Sequence, residues 1–149
     1  MSDLRELYQQ TILDHHRKPR NFRAIAGADR TAHGDNPLCG DRITVYLRME
    51  NGVIKDAAWE GSGCAISRAS ASMMTAGVIG KRAAEAEELF RRVHAMLTEE
   101  SNGDAARDVG KLAVFAGVRE FPSRVKCATL PWHTLEAALH GAAEPVTTE

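Results

Sequence analysis

Three cysteines and one aspartate are the side chains of this 149-residue chain whose types and spacing could perform chemistry. Cys39 and Asp41 lie two residues apart, Cys64 follows a Gly-Ser-Gly turn, and Cys127 lies between a lysine and an alanine. Zinc accepts thiolates and carboxylates, usually about four in a tetrahedron. Gly40 separates Cys39 from Asp41, so the backbone can bend until both side chains face one ion. We therefore predict a metal site with the ligands Cys39, Asp41, Cys64 and Cys127.

An alternative interpretation treats the cysteines as small hydrophobic residues of the core, where cysteine is often buried. The neighbours argue against it, because a Gly, Asp or Arg lies within three residues of each cysteine and no cysteine lies in an apolar stripe. Cys64 opens a predicted helix, whose first amides would favour a thiolate. Arg124 precedes Cys127 by three residues and would also favour the anion, which makes it a candidate catalytic residue. A solvated surface arginine is the simpler alternative.

The six histidines are weaker candidates for the site. His15 and His16 close the first predicted helix, where a cation is ordinary. His33 precedes the Asn-Pro turn and could border the site. A cysteine hydrolase that pairs Cys39 with His15 or His33 would need an oriented third group, and the sequence offers no signature for one. The other three histidines fall on predicted helices among polar neighbours: His94, His133 and His140.

The composition excludes several classes of function. A formal net charge of −1 gives no field suited to nucleic acid. No apolar run approaches the roughly 18 residues of a membrane span, and the first residues do not resemble a secretory signal. Three cysteines are an odd count for a disulfide framework, so we expect a cytoplasmic protein in a reducing compartment. The length suits one domain over residues 1–141, followed by a disordered tail over 142–149.

A β-hairpin is the element that the sequence predicts most directly. Apolar and polar residues alternate over 42–49, Asn51-Gly52 supplies a two-residue turn, and 53–60 returns as a second strand. A shorter strand is expected over 31–33.

Helices are predicted on both sides of this hairpin. Apolar periodicity and capping residues give a first helix from Asp3 to about His16, with Glu6 as the capping partner. The further helices are expected over 65–78, 85–97 and 108–118, and after Pro122 to Gly141 with Ser123 or Thr129 as the cap.

Three motifs in this order resemble the iron–sulfur cluster assembly family of IscU and SufU, over about Leu4 to Leu139. The SufU branch is the closer resemblance, because of an insertion around 98–111 and because Lys126 stands where the IscU branch has a histidine. The resemblance implies an α+β fold, with an antiparallel sheet of about three strands covered by helices. The motifs are Asn36-Pro37-Leu38-Cys39-Gly40-Asp41, Gly61-Ser62-Gly63-Cys64-Ala65-Ile66-Ser67, and Arg124-Val125-Lys126-Cys127-Ala128 with Leu130-Pro131-Trp132.

The resemblance also implies a function. A lysine near its usual pKa of about 10.4 is protonated at neutral pH and cannot bind a metal, so Asp41 is needed as the fourth ligand. The expected protein is a zinc-dependent sulfur acceptor for a pyridoxal-phosphate-dependent, SufS-like cysteine desulfurase. The desulfurase would contribute a histidine to the zinc, and Cys39 would take the sulfur and pass it toward a downstream iron–sulfur assembly scaffold.

Two alternatives use the same cysteines. In the first, the protein is itself the scaffold on which a [2Fe–2S] cluster is built, with iron in place of zinc. In the second, a structural zinc ion only holds the fold of an interaction module.

Overall fold

A computed structural model describes residues 2–37, 39–98, 109–141 and 146–147, and the side chains of these residues except 2–8 and 120. Four α-helices, one 3-10 helix and four strands lie in this part of the chain. In chain order they are α1 Ser2–Arg17, β1 Arg30–Asn36, β2 Asp41–Glu50, β3 Val53–Ser62, α2 Ala65–Val78, α3 Ala83–Thr98, the 3-10 helix Gly110–Glu120, α4 Pro122–Leu139 and β4 Val146–Thr147. No helix in these residues is long and apolar enough to cross a membrane.

The predicted hairpin is confirmed as β2 and β3. Asn51 and Gly52 have φ values of 53° and 78°, as a type I′ turn between two strands requires. The strands are antiparallel, and Val45 lies opposite Trp59. The hairpin therefore places the start of β2 beside the end of β3.

The sheet has four strands in the order β3-β2-β1-β4, where the resemblance implied about three. The short strand expected over 31–33 extends over Arg30–Asn36 and pairs antiparallel with β2. The fourth strand is the correction: Val146 and Thr147 pair parallel with Gly34 and Asp35. The sequence analysis predicted a disordered tail over 142–149. A two-residue strand is too short to show the alternation of apolar and polar residues from which a strand is predicted. Residues 142–145 and 148–149 lie outside the described residues.

The predicted helices are present, with shifts at their ends. The helix expected over 65–78 has those bounds, and the one expected over 85–97 spans Ala83–Thr98. The segment expected as a helix over 108–118 is a 3-10 helix over Gly110–Glu120. The capping side chains expected at Asp3 and Glu6 lie outside the described side chains, and most of the insertion around 98–111 lies outside the described residues.

The predicted cap of α4 is wrong. Neither Ser123 nor Thr129 caps this helix, which begins at Pro122 with Phe121 in the capping position and no side-chain hydrogen bond there. Proline is already set in the helical φ range and has no amide to satisfy, so it can start a helix without a polar cap. Thr129 lies inside the helix, where its hydroxyl donates to the Lys126 carbonyl.

The core lies between one face of the sheet and the helices. Alternate residues of β1 and β2 point into it and are almost completely buried, while the residues between them are more exposed. Two large side chains of α4 also lie in this core, Leu130 and Trp132. The residues of β1 and β2 that face the core are Ala32, Gly34, Asn36, Asp41, Ile43, Val45 and Leu47.

Gly34 allows α4 to lie directly against β1. A Cβ atom at this position would overlap the Thr134 hydroxyl and would lie 3.1 Å from Cδ1 of Leu130 and 3.2 Å from Cγ2 of Ile43. The missing side chain thus sets the separation between β1, which ends at Asn36, and the helix that carries Cys127.

We expect Gly34→Ala to lower the free energy of unfolding by about 1–3 kcal/mol, because the added methyl group overpacks a filled contact. Urea unfolding followed by circular dichroism measures the change. Gly77→Ala is the matched control, since its Cβ would meet only Cδ2 of Leu89 at 4.0 Å, inside α2. There alanine should raise stability by about 0.5–1 kcal/mol. Equal effects at the two glycines would contradict the role given to Gly34.

Candidate metal centre

A tight turn between β1 and β2 carries Cys39. The carbonyl of Asn36 accepts hydrogen bonds from the amides of Cys39 at 3.2 Å and Gly40 at 2.9 Å. Gly40 has a φ of 72°, a left-handed conformation that glycine adopts without strain. Asn36 and Asp41 are register partners across the two strands, so this turn is anchored at both ends. The exposed Cys39 therefore lies on a turn whose two ends are held by strand pairing. Leu38 of the predicted motif lies outside the described residues.

Asp41 is a buried carboxylate that is only half satisfied. The residue has 0% exposure, and its Oδ1 accepts a hydrogen bond from the Cys64 amide at 2.9 Å. Oδ2 is buried and has no hydrogen-bond partner among the described residues. A buried carboxylate is costly unless it is paired or binds a metal. The free oxygen is thus a good fit for a cation.

Cys64 lies where β3 gives way to α2. Its sulfur accepts a hydrogen bond from the Ser67 amide at 3.4 Å and so caps the helix, while its own amide holds Asp41. The preceding Gly63 makes this second contact possible, because a Cβ atom there would overlap the Asp41 carboxylate. Cys64 therefore helps to position Asp41 by its backbone.

Cys127 lies in the second turn of α4 and is completely buried. Its Sγ donates to the Cys39 Sγ at 3.4 Å and to the Ser123 carbonyl at 3.6 Å. Burial raises the pKa of the Cys127 thiol far above its usual range, and the neighbouring Asp41 and Cys39 raise it further. A second negative charge beside Asp41 is unfavourable unless a cation compensates both.

Cys39, Asp41 and Cys127 form a group that could hold a metal ion. Their ligand atoms all lie within 4.8 Å of one another. Two sulfurs and a carboxylate oxygen are a donor set that zinc accepts, and the unpartnered Oδ2 of Asp41 supports this fit. The structure thus brings together three of the four predicted ligands. The sulfur of Cys64 is not part of this group, so its role as the fourth ligand stays a prediction.

The other predicted site residues lie outside the group. Arg124 is exposed on α4, one turn before Cys127, and its catalytic role stays a prediction. His33 Nδ1 is hydrogen-bonded to the Thr44 hydroxyl at 2.9 Å. His15 Nδ1 is hydrogen-bonded to the Ser72 hydroxyl at 2.7 Å, and burial lowers the pKa of His15. Neither histidine belongs to the group that Cys39 forms with Asp41 and Cys127.

Asn36 is a site residue that the sequence analysis named only as part of a motif. Its side chain is buried, and Nδ2 donates to the Cys127 Sγ at 3.7 Å. The signal that could have found it is the alternation of β1. Asn36 continues the inward positions of Ala32 and Gly34, so the alternation places its side-chain amide on the core side at the end of the strand.

Comparison with known families gives one match over most of the chain. The model of the NifU-like N terminal domain matches residues 7–139. This range includes all three cysteines and Asp41.

Individual relatives are similar over nearly their whole length. The zinc-dependent sulfurtransferase SufU of Bacillus subtilis is 38% identical over 135 residues, which cover 91% of this chain and 90% of the relative. The iron-sulfur cluster assembly scaffold protein IscU of Thermotoga maritima is 39% identical over 142 residues, with 93% and 96% covered. The crystal structure of a putative iron-sulfur cluster assembly scaffold protein for the SUF system from Fervidobacterium islandicum is 36% identical. Its TM-score is 0.80, with 87% of this chain and 93% of that one covered.

We expect Gly63→Ala to weaken zinc binding by about 10–100-fold, as changes to groups that position metal ligands usually do. The methyl group would displace the Asp41 carboxylate from the Cys64 amide. Competition with a fluorescent zinc chelator measures the affinity. Gly117→Ala is the matched control, because a Cβ there meets no atom within 4 Å. If both variants bind zinc like the parent protein, the contact between Gly63 and Asp41 does not shape the site.

Proposed function

The chain belongs to the family of the NifU-like N terminal domain, and on this premise we propose that it is a zinc-dependent sulfur acceptor for a cysteine desulfurase. The desulfurase would be a pyridoxal-phosphate enzyme of the SufS kind, and the sulfur would pass on to a downstream iron–sulfur assembly scaffold. One observation carries the proposal: an exposed thiol, Cys39, lies 3.4 Å from the buried thiol of Cys127 and beside the buried Asp41.

Cys39, Asp41 and Cys127 would hold the zinc, with Cys64 as the proposed fourth ligand. When bound, zinc would keep the thiols deprotonated without adding redox chemistry. Three observations support a cation at this place: the unpartnered Oδ2 of Asp41, the two adjacent sulfurs, and the burial of Asp41 and Cys127. Lys126 beside Cys127 adds no ligand, because zinc sites use thiolate, imidazole and carboxylate groups.

Exposure separates the roles of the cysteines. A persulfide on another protein can approach Cys39, whereas Cys127 is buried in α4 and Cys64 is half-buried at the start of α2. The Cys39 thiolate would attack the terminal sulfur of the desulfurase persulfide. A bond forms between Cys39 Sγ and that sulfur, the persulfide S–S bond breaks, and the desulfurase cysteine leaves as a thiolate. The transferred sulfur keeps its proton and becomes the terminal sulfur of a Cys39 persulfide, so no external oxidant or reductant is needed.

Arg124 is proposed to act at the entrance to this site. It is exposed and lies one turn before Cys127 on α4. A guanidinium there would attract acidic groups on the surface of the desulfurase. Such a cation would raise the rate of encounter more than the strength of binding.

A scaffold for a [2Fe–2S] cluster is the second candidate function. The similarity to the Thermotoga maritima scaffold protein favours it, since the same cysteines and Asp41 would serve as cluster ligands. Lys126 favours the zinc-dependent acceptor, because it stands where the IscU branch has a histidine that could bind the cluster. An absorption spectrum of the protein purified without oxygen separates the two, because a bound cluster is coloured and a zinc site is not.

We expect Cys39→Ser to remain folded, because Cys39 is exposed, and to lose both the persulfide and the stimulation of the desulfurase. Mass spectrometry of the thiol-containing peptides and assays of alanine release measure the two effects. Ser62→Ala is the control, since Ser62 is also exposed and ends β3 close to the cysteine motif. Normal stimulation by the serine variant would show that Cys39 is not the acceptor.

We expect zinc to stabilise the protein through Asp41. At a free zinc concentration of about 100 times the dissociation constant, the free energy of unfolding should rise by about 2.7 kcal/mol over the metal-free protein. Asp41→Ala should lose most of this gain because it removes the buried carboxylate that faces the sulfurs. Thermal unfolding over a zinc titration measures it. A metal-free parent protein that is unfolded would instead support a purely structural zinc ion.

A further inference from the structure

Asn36 contacts both cysteines that lie side by side in the site. Its backbone carbonyl holds the amide of Cys39, and its side-chain Nδ2 donates to the Cys127 sulfur at 3.7 Å. The residue ends β1 and has 0% exposure. A side-chain substitution would therefore leave the backbone contact to Cys39 in place and remove only the one to Cys127.

The buried amide is not explained by stability. Oδ1 of Asn36 is buried and has no hydrogen-bond partner among the described residues. An unsatisfied buried polar atom is unfavourable, and a small apolar side chain would fill the space without that penalty. The contact that the amide does make is with sulfur, which points to a role in the chemistry of Cys127.

An N–H group that donates to a thiolate draws electron density from the sulfur. Such charge-assisted hydrogen bonds are stronger than neutral ones, and they make the sulfur a poorer nucleophile. The two sulfurs are only 3.4 Å apart, so a sulfur atom delivered to one is within reach of the other. The hydrogen bond from the Asn36 amide goes to the buried Cys127, whereas Cys39 is exposed.

We propose that Asn36 is a positioning residue that makes the two sulfurs unequal: its side-chain N–H keeps Cys127 as a ligand and directs the incoming sulfur to Cys39. This inference rests on the proposed function and deepens it. Without the N–H group, the Cys127 thiolate would attack the terminal sulfur of the Cys39 persulfide. A new S–S bond would form at Cys127, the bond at Cys39 would break, and Cys39 would return to a thiolate.

The first test uses cobalt(II) in place of zinc and needs no desulfurase. Asn36→Ala should move the sulfur-to-cobalt charge-transfer band to lower energy, because the sulfur regains electron density. Thr134→Ala is the control: Thr134 is buried in the same contact between β1 and α4, but its hydroxyl donates to the Leu130 carbonyl. Its spectrum should equal that of the parent protein. An unchanged band in Asn36→Ala overturns the proposal.

The second test locates the sulfur after reaction with the desulfurase and cysteine. In the parent protein the persulfide should lie on Cys39, and in Asn36→Ala the ratio of Cys127 to Cys39 persulfide should rise about tenfold, the effect of one hydrogen bond to a charged group. An unchanged ratio overturns the directing role. If the parent protein takes up no sulfur, the proposed function is wrong. The cobalt spectrum then still shows whether the Asn36 amide acts on the Cys127 sulfur.

A second variant covers the case in which Asn36→Ala does not fold. Asn36→Leu keeps about the same side-chain shape and has no polar hydrogen to donate. The band and the persulfide ratio should change in the same directions as for alanine. If Asn36→Leu matches the parent protein in both measurements, the amide N–H is not the cause and the proposal is wrong.

Discussion

The burial of the Asp41 carboxylate is the constraint on which the site depends. One oxygen is held by the amide of Cys64, and the other has no partner among the described residues. Removing a carboxylate from water costs several kcal/mol unless another charge compensates it. No donor among the described residues reaches that second oxygen, and two thiols lie near the carboxylate instead. A cation that the thiols and the carboxylate share would therefore stabilise this arrangement.

The fold meets this constraint by bringing four chain segments to one end of the sheet. Asn36 at the end of β1 lies opposite Asp41 at the start of β2, and Arg42 lies opposite Ser62 at the end of β3. The amide of Cys64, which opens the next helix, then reaches Asp41. The fourth segment is α4, which can approach because Gly34 has no side chain. Two glycines, Gly34 and Gly63, thus set the distances on which the site depends.

The sequence predicted the parts of the fold that rest on local signals. The hairpin has alternating residues and a turn with a unique backbone requirement, and α2 has a clear start and end. It did not predict β4, whose pairing with β1 comes from tertiary contact alone. The cap of α4 was wrong because Pro122 removes the need for one. In the site, spacing and resemblance selected the cysteines and Asp41. The Cys64 sulfur caps α2 through a local contact with the Ser67 amide, which agrees with the predicted helix start. Neither signal could indicate that Asn36 reaches Cys127, since that contact depends on where two separate segments meet.

The unequal burial of the cysteines bears on the choice between an acceptor and a scaffold. An acceptor needs one sulfur that a large partner can reach and others that hold their positions while it reacts. Cys39 is exposed on a turn fixed by the Asn36 carbonyl, whereas Cys127 is buried in a helix and hydrogen-bonded by the Asn36 amide. The asymmetry therefore supports transfer through Cys39, and the same residue that fixes its turn restrains its neighbour.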